Sequence, residues 1–158
     1  MKIVDIMSSS LIIPELSGHT REEVLAELVA CIVQARPSID AAHAVRVLLD
    51  RERVGSTGVG HGLAIPHAKL PRLDRAVACF ARSKDGIDFK AQDGKPTHLF
   101  LALLAPEGNA SLHLQALARA SRLFKDADFR TRLLEAGDVA SMWVAISSKD
   151  QQLTQTGT

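Results

Sequence analysis

The sequence predicts an α/β fold, a mixed β-sheet sandwiched by helices. Three observations carry that expectation. Segments with apolar residues at helical spacing alternate with short, dense apolar runs. One such run, residues 97–105 (THLFLALLA), is almost continuously apolar, the mark of a strand buried on both faces. No internal repeat or linker divides the 158 residues, a length that suits one domain with a full core.

The elements run in order. Residues 10–14 (SLIIP) form a short strand. Thr20 and Glu23 make a T-x-x-E capping box. Val24, Leu25, Leu28, Val29 and Ile32 then recur at helical spacing, which predicts a helix over 21–35 that Pro37 stops. Ser38 or Asp40 caps a second helix, with Ala44, Val45, Leu48 and Leu49 inward and its end near Glu52. A glycine-dense loop, residues 55–62, leads through the short apolar strand Leu63-Ala64-Ile65 to Pro66 and His67. Residues 75–82 read as a strand, and Asp85-Gly86 and Asp93-Gly94 as turns. After the strand at 97–105 and a loop, Ser111 caps a helix over 112–125. Two more helical segments span 127–136, closed by Gly137, and 138–147, where Trp143 sits on an apolar stripe with Val139, Met142 and Ile146. The domain is expected to occupy residues 1–149, with 150–158 a frayed polar tail.

Composition closes several function classes. Lys plus Arg is 19 and Asp plus Glu is 18, a formal net charge of +1, which argues against a nucleic-acid partner recognised by bulk charge. Aromatic residues are 4% of the chain, too few for a base-stacking platform. Cys31 and Cys79 have no metal-ligand spacing and read as small buried hydrophobes in a reducing compartment. The N-terminus has no apolar run long enough for a signal peptide, and no stretch matches a membrane span. These features predict a cytoplasmic protein without membrane insertion.

Gly55, Gly58, Gly60 and Gly62 suggest a backbone that approaches a ligand or takes unusual dihedrals. Neither common nucleotide pattern fits. No Lys-Ser or Lys-Thr comes after the glycines, and Gly58-x-Gly60-x-x ends on Leu63 where a third glycine is needed. The residues after the loop are more informative, because Pro66 fixes the backbone beside His67. A neutral imidazole held rigidly at a strand end can attack phosphorus. Ser56 and Thr57 hydroxyls, loop N–H groups and a guanidinium from Arg51 or Arg53 are candidate donors to the phosphoryl oxygens.

The run from Arg51 to Lys69 (RERVGSTGVGHGLAIPHAK) resembles the signature of the fructose/mannitol-type enzyme IIA domains of the bacterial sugar phosphotransferase system. That signature has an acidic or amide residue (Glu52), an aliphatic residue and glycine (Val59-Gly60), then aliphatic-Ala-aliphatic-Pro-His and a small residue (Leu63 to Ala68). The strand from Thr97 to Pro106 and the His113-Leu114-x-x-Leu117 helix start resemble the family as well, so the likeness runs from about residue 8 to 147. It implies that fold, and a phosphotransferase in which His67 accepts a phosphoryl group at Nε2 from an HPr-like carrier. Arg51 matches the arginine that stabilises the phosphate and His113 a second histidine beside the active one. No cofactor or metal is implied. His61 stands where many relatives have Asn, so phosphate contact and loop packing both stay open for it. Ala68 replaces a common Gly.

Within the family, no IIB cysteine motif or membrane segment is attached, which points to the free-standing nitrogen-regulatory type. Its partners would be regulated proteins such as potassium-transport and sensor-kinase systems. The alternatives are a sugar-specific IIA passing phosphate to a separate IIB, and a non-phosphorylated interaction module of the same fold. A metal hydrolase using His61, His67 and His113 is weaker still, since paired carboxylates are missing. His19 and His43 read as surface residues and His98 as a structural one. Lys69 reads equally as site charge or as solvated.

Overall fold

The computed structural model describes residues 1–156. Six strands and five helices lie among the described residues, two of the strands, β2 and β4, unforeseen in the sequence: β1 (Ile12–Ile13), α1 (Arg21–Ala35), α2 (Ala41–Val54), β2 (Gly58–Gly60), β3 (Leu63–Ala64), β4 (His67–Leu70), β5 (Val77–Ile87), β6 (Thr97–Pro106), α3 (Ala110–Phe124), α4 (Ala127–Glu135) and α5 (Val139–Gln155). The sheet runs β1-β5-β6-β3-β2, with β4 also on β6. It is mixed: β5 pairs antiparallel to β6, while β1 runs parallel to β5 and both β3 and β4 run parallel to β6.

Every residue from Leu99 to Ala105 is buried, so both faces of β6 are covered. α1 and α2 pack together and lie on β5 and β4, while α3 and α4 lie on β6 and α5 on β1. The sheet is sandwiched by helices, as expected. No helix among the described residues is long and apolar enough to cross a membrane.

Local chemistry explains the helix starts. Thr20 Oγ1 accepts from Glu23 N–H at 3.2 Å and Glu23 Oε1 accepts from Thr20 N–H at 3.1 Å, completing the predicted capping box of α1. Asp40 caps α2 by accepting from His43 N–H. Trp143 packs against the core.

Several expectations are corrected. The first strand is only Ile12–Ile13, preceded by a 3-10 turn at Ser9–Leu11. The glycine-dense segment is largely a hairpin, because β2 pairs antiparallel with β3 across a turn in which Gly60, His61 and Gly62 all have positive φ. Strand β5 continues through Asp85-Gly86 to Ile87 with an irregular register, since Gly86 (φ +86) lets Pro96 and His98 approach where a Cβ would collide. α3 starts at Ala110, capped by Asn109 in place of Ser111. α4 is closed without Gly137: buried Arg82 donates Nη1 to the Leu133, Leu134 and Ala136 carbonyls at its end.

The largest correction is at the C-terminal end. Residues 150–155 are the last turns of α5, in place of a frayed tail. Asp150 is fully buried and accepts from Arg119 Nε at 2.7 Å and from Val4 N–H at 3.1 Å. The remainder of the expected tail, 157–158, lies outside the described residues.

Candidate active site

Strands β3 and β4 run in succession along the same edge of β6, with Ile65 and Pro66 between them. Pro66 has no N–H, and its carbonyl accepts from Leu103 N–H at 2.9 Å, so the interruption stays docked. His67 is thereby the first residue of β4, between the last turn of α2 and the start of α3. It opens onto a cleft of about 520 Å³ with Arg51, Lys69 and His113, walled by the apolar Val47, Ala110, Leu114 and Leu117.

His67 Nδ1 lies 2.7 Å from the Ile65 carbonyl oxygen. An oxygen can only accept, so Nδ1 carries the hydrogen and the neutral ring keeps its lone pair on Nε2. Nε2 has no hydrogen-bond partner among the described residues. Burial pushes the His67 pKa below its ordinary value, with the Ile65 hydrogen bond and Glu52 opposing and the Arg51 charge adding to the fall.

His113 stands edge-on to His67, with ring centroids 5.4 Å apart and planes at 84°. It is 8% exposed, and its Nδ1 is buried without a partner. Burial lowers its pKa, and the nearby His67 and Lys69 lower it further. Arg51 reaches from the last turn of α2 and donates Nη1 to the Gly55 carbonyl at 2.7 Å. The start of α3 borders the cleft at Ala110, and the positive end of a helix dipole favours an anion there.

The structure thus brings Arg51, His67 and His113 to one cleft and keeps the other three candidates out of it. Ser56 Oγ donates to the Phe89 carbonyl at 2.7 Å. Thr57 is buried, and its hydroxyl donates to Glu52 Oε2. His61 sits on the hairpin turn, exposed, with its N–H donated to Asp93, and lines a separate cavity beside Phe124, Lys125 and Arg130. The expected phosphate cradle of loop hydroxyls is therefore corrected: these hydroxyls stabilise the turn itself. Because His61 lies apart, His61, His67 and His113 do not converge on a metal. His98 Nδ1 donates to the Ser83 carbonyl, a structural bond, and His19 is exposed.

Sequence reasoning missed the role of Glu52, which is only 2% exposed. A signal was present, since Ala44, Leu48 and Glu52 are spaced i, i+4, i+8 and share the buried stripe of α2. It also missed Leu114, which is 67% exposed at the cleft rim.

Residues 5–149 match the family model for the phosphoenolpyruvate-dependent sugar phosphotransferase system, EIIA 2. A nitrogen regulatory protein of Bradyrhizobium diazoefficiens is 39% identical over 147 residues, 93% of this chain and 95% of that protein. A fructose-specific EIIA component of Haloferax volcanii is 39% identical over 139 residues, 86% of this chain and 90% of that protein. The crystal structure of nitrogen regulatory protein IIA-Ntr from Neisseria meningitidis aligns with a TM-score of 0.84 at 28% identity, covering 91% of this chain and 98% of that one.

Proposed function

The chain belongs to the phosphoenolpyruvate-dependent sugar phosphotransferase system EIIA 2 family, a family of phosphotransfer components, and from that premise we propose that it is a phosphohistidine carrier charged on Nε2 of His67. The observation that carries this reading is the Nδ1 contact to the Ile65 carbonyl, which leaves Nε2 as the free nucleophile in the cleft. The Nε2 lone pair attacks the phosphorus of a phosphohistidine on an HPr-like donor. The donor's P–N bond breaks and its electron pair returns to the donor ring. The His67 ring becomes cationic as it takes the phosphoryl group, and the Ile65 carbonyl already accepts its Nδ1–H. No proton has to move. Positioning and charge stabilisation then suffice. Arg51 and Lys69 supply positive charge, and neutral His113 offers a ring nitrogen at the same cleft.

The regulatory, nitrogen-type role is favoured over a sugar-specific one by the extent of the likeness to the Bradyrhizobium and Neisseria proteins. Regulated partners in potassium transport or sensor-kinase signalling would then read the phosphorylation state in the cytoplasm. The Haloferax relative keeps a second reading open, a fructose-specific EIIA passing phosphate to a IIB protein.

Incubation with phosphoenolpyruvate, enzyme I and an HPr-type carrier is expected to add one acid-labile phosphoryl mass, absent in His67→Ala. Equal labelling of the variant would overturn the carrier reading in favour of a binding module or another acceptor. Faster charging by a sugar-type than by a nitrogen-type carrier would favour the fructose-specific role.

A further inference from the structure

We propose that Glu52 is a positioning residue that sets the tautomer of His67 through a chain of hydrogen bonds. Both Glu52 oxygens are taken by Thr57: Oε1 accepts from its N–H at 2.9 Å and Oε2 from its hydroxyl at 2.5 Å. The Thr57 carbonyl accepts from Ile65 N–H at 3.1 Å. The Ile65 carbonyl accepts from His67 Nδ1 at 2.7 Å. Three links therefore run from the last turn of α2 to the reactive ring.

A buried carboxylate is costly unless its oxygens are satisfied. Glu52 makes no ion pair among the described residues, since its neighbour Arg51 turns to the Gly55 carbonyl. Both of its oxygens bond to one residue, the start of the relay. Arg51 and Glu52 together clamp the turn between α2 and β2, one at Gly55 and one at Thr57. Ile65 precedes a proline, which confines its backbone to extended conformations. With its N–H held by Thr57 and its ψ restricted, the Ile65 carbonyl has one direction in which to point. Without that acceptor the neutral ring would divide between two tautomers, and the one with hydrogen on Nε2 cannot attack phosphorus.

The catalytic consequence rests on the reading of His67 as phosphoryl acceptor, but the tautomer does not, and the two are measured separately. The ring nitrogens of His67 are followed by ¹⁵N NMR across pH in the full chain, and transfer from an HPr-type phosphocarrier is timed. The groups facing His67 are Arg51 and Glu52 from α2, Lys69 on β4 and His113 from α3. Wild type is expected to show hydrogen on Nδ1 alone. Glu52→Ala is expected to populate both tautomers and to slow transfer on the order of 10–100-fold, as a misplaced reacting group does. Glu52→Gln keeps hydrogen bonds to Thr57 and is expected to restore tautomer and rate. The Gln variant should also lower the His67 titration midpoint, because it removes a negative charge that holds that midpoint up. A folded Glu52→Ala protein with the wild-type tautomer and rate would overturn the proposal, as would a Gln variant no better than Ala. Should Glu52→Ala not fold, Glu52→Asp keeps the charge but withdraws the carboxylate from both Thr57 bonds, and an unchanged tautomer there overturns the relay. If wild-type His67 takes no phosphoryl group, the functional reading falls while the NMR result still decides the relay.

Discussion

A single carbonyl oxygen sets which nitrogen of neutral His67 keeps its lone pair, and burial holds the ring neutral to lower pH. Burial is the larger cause of the lowered His67 pKa, and it lowers that of His113 as well. An unfolded histidine titrates near 6.5. Neutral rings in the folded state therefore contribute stability that is fully present above about pH 6.5 and lost as pH falls through the folded pKa. In the proposed transfer the same titration would remove the nucleophile. The acid limb of the transfer rate is expected to fall at a pH below 6.5, matching the His67 midpoint seen by NMR; a limb at or above it would contradict the role of burial. Arg51→Ala should slow transfer on the order of 100-fold, the scale of removing one charge-stabilising donor. Its melting temperature should barely change, because Arg51 contacts one exposed carbonyl. His67 and Arg51 are legible in sequence because a short motif carries them. The place of Ser56 is not, because its partner, the Phe89 carbonyl, lies 33 residues away.

Among the elements, legibility depends on the range of the interaction that sets each boundary. α1 is legible to the residue because its cap closes within three positions. The end of α5 is hidden because Asp150 and Thr154 look polar, and the Arg119 guanidinium that satisfies them sits more than 30 residues earlier. The Asp85-Gly86 pair reads as a turn because nothing local reveals that Pro96 and His98 press against Gly86. Removing the Asp150 carboxylate would leave Arg119 buried without its counter-charge. Asp150→Ala is therefore expected to destabilise the protein by about 3–5 kcal/mol, measured by urea unfolding. A loss below about 1 kcal/mol, the range of surface pairs, would show that Arg119 finds water instead.

At the scale of the molecule, the cleft is assembled from α2, β4 and α3, and β4 occupies the edge of β6 that lets the two helices flank it. Its rim is apolar and its floor basic, a combination suited to a protein that presents a phosphoryl group. Leu114 gives the test: exposed on α3, it contributes little to the core. Leu114→Glu should weaken docking of the HPr-type donor by about 1–2 kcal/mol, read as a raised KM with an unchanged melting temperature. The layered fold is legible from the helical and strand patterns, whereas the meeting of Arg51, His67 and His113 is anticipated only through the family resemblance, since it needs residues from three separated segments. The Val4–Asp150 hydrogen bond, 146 residues in span, has a different kind of consequence. Closing a loop of that span costs entropy before its contacts offset it, and the Arg119 counter-charge lies on the last helix. A chain truncated before Asp150 would keep Arg119 buried without its counter-charge, and is expected to be less stable than the full chain.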